Sequence, residues 1–557
     1  MSTPGAEKRM SLYEGLRRAV PEQLAAYLLK QRWFGGKARQ IRSTELIDLV
    51  PLQAGSVEAF VLLARVEYDS GPSDTYMLPL IPSSASGSPL GDPSGEQAAD
   101  REAVLSIRRQ GGDIGDAVLT DALKSERCLS GLLGAIEGAL TFTGARGEIC
   151  ASSTNVCRSI RASGGDGLRP RVLKGEQSNS SIVYGDFFIL KLFRRVEEGV
   201  NPDLEIGRFL TEKTRFANVA PVAGSLEYRS EGGELMTLGI LQRFVPNEGD
   251  AWRFTLKSLE TFWERAAKQS SPRQTTQATA NPVAAYDEVL APLASELIGT
   301  YLEKVELLGK RTAQLHLALA SDFADAEFAP EAFTPSFQRE MANAASELAV
   351  RNLALLRQKA NDLPPGASGL ASEVLSRETE ILEKFDARAT APAGGRRIRI
   401  HGDYHLGQVL YTGSDFVIID FEGEPARPLA ERRAKRSALQ DVASMVRSFH
   451  YAAFAHLLGA AGDSATSAVN AAMDRMENPA AWAGNWYAWA TSRFLGSYFD
   501  AAQAGSFLPT SREEISAVLQ MHLLEKAVYE LGYELNNRPS WAGIPLAGIS
   551  QLLARRL

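Results

Sequence analysis

The sequence predicts an α+β protein made of three consecutive parts. Apolar runs of strand length concentrate in the first 246 residues, whereas apolar residues at helical spacing dominate from about residue 284 onward. One short β island, within residues 401–425, interrupts the helical part. The expected boundaries are 1–100 for a small cap, 101–246 for a second sheet region, and 247–557 for a mostly helical lobe.

Bulk composition narrows the function classes. At 557 residues, 45% hydrophobic and 23% charged, the chain has ample core for several packed units. Its net charge of −7 lacks the basic excess of a general nucleic-acid binder, and the run ERRAKR (431–436) reads as a solvated helix face. The cysteines, Cys128, Cys150 and Cys157, form neither a disulfide framework nor a metal-ligand spacing. With no apolar signal core at the N-terminus and no run of about 18 apolar residues, we expect a cytoplasmic protein without a membrane segment.

In chain order, PEQLAAYLLKQRWFGGKAR (21–39) reads as a helix with Pro21 at its first position and Gly35-Gly36 as a stop. STELIDLVPL, EAFVLLARVEY and YMLPLI read as strands of a small mixed sheet. The stretches 82–96 and 268–282, rich in Ser, Gly, Pro and other polar residues, read as surface loops or inserts. Helical patterning is expected over 116–139 and again over 293–320.

The β island carries the chemistry. In HGDYHLGQVLYTGSDFVIIDFEGEP (401–425), QVLY and FVIID are two strands turned by TGSD. A hairpin makes neighbours of Gln408 and Asp420, and Asp403 lies five residues before Gln408. Two carboxylates and an amide oxygen suit a hard cation such as Mg²⁺ carrying a phosphate. The protein-kinase signature has the same order: an Asp base, an amide five residues later, then an Asp before Phe.

Further candidates lie upstream and downstream. Lys191 interrupts the apolar strand FFILKLF, and a buried ammonium needs a partner. Glu205, in the first turn of a helix opened by Asn201 and Pro202, is the expected partner. Ser178, Asn179 and Ser180 sit in a polar turn before that strand, which could cradle phosphates or be a plain hairpin turn. The strand TLGILQRFVP leaves the sheet at a proline; in a two-lobed kinase it would be the hinge, with backbone groups of Gln242, Phe244 and Val245 facing a nucleobase. Asp441, at a helix start, either caps that helix or braces the 401–405 loop. Lys526, Tyr529, Glu530 and Tyr533 share one face of a helix near the C-terminus. That aromatic and charged face fits a sugar, and an amphipathic surface helix accounts for it equally well.

With these residues collected, the chain resembles the maltokinases, within the aminoglycoside-phosphotransferase-like branch of the kinase fold. The resemblance rests on QRWFGGK, GEQSNSSIVYGD, ILKLFRRVEEGVNPDLEIGRFL, RTAQLHLAL, HGDYHLGQV, IDFEGEP and EKAVYELGYELNNRPSW. It implies a bilobal, eukaryotic-kinase-like fold with an N-terminal cap, and ATP with Mg²⁺ as cofactors. It implies phosphorylation of the anomeric hydroxyl of maltose, giving maltose 1-phosphate for α-glucan or glycogen synthesis. In that reading Asp403 is the base, Gln408 and Asp420 hold Mg²⁺, and Lys191, oriented by Glu205, contacts ATP phosphates. His401, Lys526, Tyr529, Glu530, Tyr533 and Arg538 line the sugar pocket. Tyr404 departs from the Leu that many relatives carry there. Any trehalose synthase partner would be a separate protein. The rival acceptors are glucosamine or another aminosugar, whose ammonium Glu530 or Glu534 would meet; a third reading is a catalytically silent sensor.

Overall fold

The structure is a computed structural model that describes residues 4–54, 57–83, 103–107, 117–164, 168–173, 178–269, 290, 292–390, 394–457 and 467–554. The chain forms two compact units, Met1–Thr211 with Ala220–Pro246 and Glu212–Val219 with Asn247–Leu557. The inserts expected at 82–96 and 268–282 lie, beyond their first two residues, outside the described residues.

The first unit opens with helix α1, Pro4–Lys30. Leu16, Val20, Leu24 and Leu28, spaced by four, are fully buried and make its core stripe. Pro21 therefore lies inside the helix rather than at its start. Val20 gives its carbonyl to the Thr44 hydroxyl at 2.8 Å, one of the contacts that seat the helix on the sheet. The chain leaves the helix at Lys30, so Gly35 and Gly36 do not stop it. Gly36 answers a packing need instead, because a Cβ there would collide with the Tyr68 hydroxyl and the Phe34 ring.

That sheet holds β1 (Ile41–Ala54), β2 (Val57–Tyr68), β3 (Asp74–Ser83), β4 (Ala103–Ile107) and β5 (Ala117–Asp121) in the order β1-β2-β3-β5-β4. Residues 117–121, expected to begin a helix, are thus a strand, since pairing with β3 and β4 outweighs local propensity. The helix that follows, α2 (Glu126–Glu137), starts at Ser125, whose hydroxyl caps it.

A second antiparallel sheet joins β6 (Thr141–Thr143), β7 (Gly147–Ser153), β8 (Pro170–Val172), β9 (Asn179–Tyr184) and β10 (Phe188–Phe193) with later strands. The two-residue strand β11 (Arg195–Val196) returns to the first sheet, against β3. Helix α3 (Pro202–Glu212) follows, then β12 (Val222–Ser230) and β13 (Leu235–Arg243), giving the order β6-β7-β12-β13-β10-β9-β8.

The second unit is mostly helical. Its elements include α4 (Ala251–Ala266), α5 (Tyr301–Leu319), the hairpin β14 (Val409–Tyr411) and β15 (Phe416–Ile418), α6 (Leu439–Ala455), α7 (Pro479–Ala502) and α8 (Arg512–Asn537). α6 is buried around nearly its whole circumference, from Leu439 to Ala455. Such a helix is the centre of a lobe rather than its surface. α5 and α7 approach so closely that a Cβ on Gly309 would collide with the Phe494 carbonyl.

Candidate active site

The hairpin forms as its spacing predicts. Val409 registers with Ile418 and Tyr411 with Phe416, and Gly413 takes the positive φ of 85° that the turn needs. Phe254 of α4 stacks on Tyr411 at 4.0 Å, and Arg311 of α5 grips Asp415 with two nitrogens, at 2.9 and 2.6 Å. The Ile419 N–H donates to the Gln408 carbonyl at 3.0 Å, which sets Gln408 and Asp420 at the same end. Asp420 itself has φ 68°, one of two described non-glycine residues with positive φ. A carboxylate held in that sparsely populated region marks a place where position outweighs local comfort. An amide oxygen and a carboxylate are hard donors, so the pair fits Mg²⁺.

The 401–405 loop is braced from beneath. Asp441, in the first turn of α6, accepts the backbone N–H groups of His401 at 2.8 Å and Gly402 at 3.0 Å. His316 Nε2 donates to the same carboxylate at 3.1 Å, and its other ring nitrogen is 2.9 Å from the Tyr498 hydroxyl. Burial alone would raise the Asp441 pKa. The His316 hydrogen bond and charge, with His401 and the Gly402 N–H, outweigh burial and hold it below the usual carboxylate range. Between the two roles open to Asp441, the contacts are those of a brace.

Asp403 thereby projects from a fixed loop. Its N–H approaches His401 Nδ1 at 3.4 Å, while His401 Nε2 is 2.9 Å from the Ile419 carbonyl. Both nitrogens of His401 are engaged and the residue is 1% exposed, packed on Tyr404 and Phe421. His401 is consequently a structural support, not a wall of a sugar pocket. Tyr404 is likewise buried, with its hydroxyl 2.9 Å from Thr312 Oγ1. Lys526 of α8 reaches Asp403 at 3.7 Å, and His405 Nε2 lies 3.8 Å from it on another side.

A cavity opens beside these groups, lined by Gly402, Glu424, Arg427, His522, Lys526 and Tyr529 among others. Lys526 sits 4.7 Å over the Tyr529 ring. Glu525, also on the wall, takes a hydrogen bond from His522 Nδ1 at 3.0 Å. Burial would raise its pKa, but His522, Arg427 and Arg436 outweigh it and keep the carboxylate ionised. Of the expected sugar residues, only Lys526 and Tyr529 line this cavity. Glu530 is locked by two nitrogens of Arg447, at 2.9 and 2.7 Å, inside the helical core. Tyr533 and Arg538 pack on each other, and Arg538 stacks on Trp541 at 4.4 Å and pairs with Glu534. Glu424, Arg427, His522 and Glu525 escaped the sequence reading. Glu424 lies within DFEGEP and is legible there; the other three show no local signal.

In the first unit, the Lys191 ammonium pairs with Asp203 at 3.1 Å, a carboxylate the sequence reading did not single out. Asn201 caps α3 through a bond from the Asp203 N–H to its side-chain oxygen at 2.9 Å, and Glu205 stands in the same first turn. Lys191 registers opposite Ser181, and Ser178 to Ser180 lead into that strand pair. In the expected hinge, the Phe244 N–H already donates to the Phe187 carbonyl at 2.8 Å, so it does not face a nucleobase. Gln242 is paired within the sheet against Ile189 and Val222. Val245 follows two residues beyond β13.

Comparison with known proteins fits this architecture. Residues 27–123 match the maltokinase N-terminal cap domain, and residues 288–477 match the phosphotransferase enzyme family. The two matches fall on separate stretches of the chain, the first within the first unit and the second within the second. A glucosamine kinase from Streptacidiphilus jiangxiensis is 22% identical over 389 residues, 69% of this chain and 73% of that protein. One from Mycolicibacterium smegmatis is 23% identical over 383 residues, 69% of this chain and 79% of its own. A solved glucosamine kinase in complex with glucosamine, ADP and inorganic phosphate superposes with a TM-score of 0.57 at 17% identity, covering 96% of this chain and 98% of its own. At that identity the likeness establishes the kinase-like fold. No helix among the described residues is long and apolar enough to cross a membrane.

Proposed function

We propose that this phosphotransferase is an ATP-dependent sugar kinase acting on the anomeric hydroxyl of maltose. The observation that carries the reading is Asp403, held on a loop braced by Asp441 and set beside Lys526 on a polar cavity wall. A positioned carboxylate next to a polyhydroxyl-binding wall is what alcohol phosphorylation requires. In the transfer, the acceptor oxygen attacks the terminal phosphorus of ATP and the bond to the bridging oxygen breaks, releasing ADP. The acceptor proton passes to an Asp403 carboxylate oxygen.

Gln408 and Asp420 would hold Mg²⁺, which supplies charge neutralisation on the phosphates when bound. Lys191, secured by Asp203, would contact the nucleotide phosphates, and Ser178 to Ser180 would add hydroxyl and N–H donors.

The wall's charge balance favours a neutral acceptor. The wall carries two carboxylates, Glu424 and Glu525, and Glu525 is committed to His522. Arg427 and Lys526 add positive charge to the same wall. Glu530 and Glu534, which would have met an ammonium, are bound to Arg447 and to Arg538. The match to the maltokinase cap supports maltose among neutral sugars. The glucosamine kinases among its relatives make an aminosugar the second reading.

The test is ADP release with ATP and Mg²⁺ against maltose, glucosamine, glucose and trehalose, with phosphorus NMR of the product. Maltose-dependent turnover with an anomeric phosphate is expected. Turnover with glucosamine alone would replace the acceptor, and none with any sugar would remove the kinase reading. Asp403→Asn should lower kcat by about 10²–10⁴-fold, the usual contribution of a positioned general base.

A further inference from the structure

One guanidinium in the first unit gathers groups from the cap and from the proposed nucleotide strands. Arg194 follows β10, three residues beyond Lys191, and is 2% exposed. Its Nε donates to Ser180 Oγ at 2.9 Å, and a terminal nitrogen pairs with Asp121 at 3.0 Å. Its plane lies over the Trp33 ring at 4.8 Å, and its carbonyl accepts the Met77 N–H at 2.8 Å. Trp33, Met77 and Asp121 all lie within the matched cap, residues 27–123. The next residue, Arg195, continues the seam by registering against Tyr76 and pairing with Asp74 at 3.1 Å.

The chemistry gives this seam a direction. A guanidinium only donates, so Ser180 Oγ must accept from it, and the Ser180 proton is turned elsewhere as a donor. A buried guanidinium holds its place only when its partners are fixed, and here the cap supplies it an aromatic face and a carboxylate, while a cap N–H fixes the Arg194 backbone carbonyl. Ser180 registers opposite Leu192, next to Lys191 in the same strand pair.

We propose that Arg194 is a positioning residue for nucleotide binding, through which the cap fixes the Ser178–Ser180 segment at the start of β9 and the strand bearing Lys191. The cap's purpose, on this account, is to set the phosphate contacts. The proposal rests on the reading of Lys191 and Ser180 as ATP-phosphate contacts.

The experiment compares Arg194→Gln, Arg194→Lys, Ser180→Ala, Trp33→Leu and Lys191→Ala in the full-length chain. It measures the KM for ATP and for the acceptor, equilibrium binding of ADP by calorimetry, and the thermal midpoint. Arg194→Gln should raise the ATP KM about tenfold and weaken ADP binding in parallel, a tenfold change being about 1.4 kcal/mol, while the acceptor KM stays within about twofold. Ser180→Ala added to Arg194→Gln should cost less than the sum of the two, because they share one contact. Arg194→Lys should restore little, since an ammonium cannot hold Ser180, Asp121 and the Trp33 face at once. Should Arg194→Gln fail to fold, Trp33→Leu carries the test, with a smaller rise in ATP KM and the same unchanged acceptor KM.

An unchanged ATP KM in these variants, or ATP and acceptor KM rising together with a lowered thermal midpoint, overturns the proposal. If Lys191→Ala and Ser180→Ala also leave ADP binding intact, the nucleotide site itself has been misread. If those two weaken it and Arg194→Gln does not, only the positioning role falls.

Discussion

Asp441 holds His401 by its backbone: a carboxylate oxygen accepts the His401 N–H at 2.8 Å, and the other oxygen takes the N–H of Gly402 at 3.0 Å. A residue on the central buried helix thus fixes the loop that carries Asp403, two residues further on. The side chain acts at a distance in sequence and makes no cap bond to its own helix, whose N-cap position is Ala438.

Replacing Asp441 with Asn should separate geometry from charge. The amide keeps the shape but offers one acceptor oxygen to three donors, His401 N–H, Gly402 N–H and His316 Nε2. Hydrogen bonds to charged groups contribute about 1.5–3 kcal/mol, so a lower thermal midpoint and a kcat reduced at least about tenfold are expected. Wild-type kcat together with a wild-type midpoint would show that the loop holds itself.

The same carboxylate sets an acid limit. Its pKa is lowered in the folded chain, so it binds protons more weakly there than when unfolded. Its contribution to stability is complete above the unfolded value, near 4, and is lost as pH falls from there through the folded value. Chemical denaturation followed from pH 6 down to 3 should show the wild type losing stability faster than Asp441→Asn below about pH 4. Parallel curves would remove Asp441 from the acid response.

Lys526 joins the Asp403 carboxylate to the cavity wall at 3.7 Å. Lys526→Met preserves the stem over Tyr529 and removes the charge, so the acceptor KM should rise about tenfold, as expected for a lost charged hydrogen bond, with little change in the ATP KM. Equal effects on both substrates would place Lys526 outside acceptor binding.

Gly309 tests the packing of the helical unit. A Cβ there meets the Phe494 carbonyl, part of a helix backbone that cannot turn aside. Overpacking at such a contact costs about 1–3 kcal/mol, so Gly309→Ala should lower the thermal midpoint by several degrees. Gly484, with open space around its Cβ position, is the control, and Gly484→Ala should be neutral or stabilising.

What the sequence determined by itself was local. The hairpin, with Gln408 and Asp420 brought to one end, follows from alternation and a four-residue turn, which short-range sterics decide. The cap on α3 at Asn201 and the strand that carries Lys191 were legible for the same reason, although Lys191 itself is only partly buried. Tertiary structure decided the partners. It gave Asp203 to Lys191, turned Glu530 inward to Arg447, closed His401 into the core, and assembled the cavity wall from the 402–427 loop and α8. It also drew residues 117–121 into a sheet and carried α1 through Pro21. In each case the deciding contact joins residues far apart in the chain or competes with local propensity. A charged side chain's role depends on which counter-charge and how much water surround it, and neither is written in its neighbours in sequence.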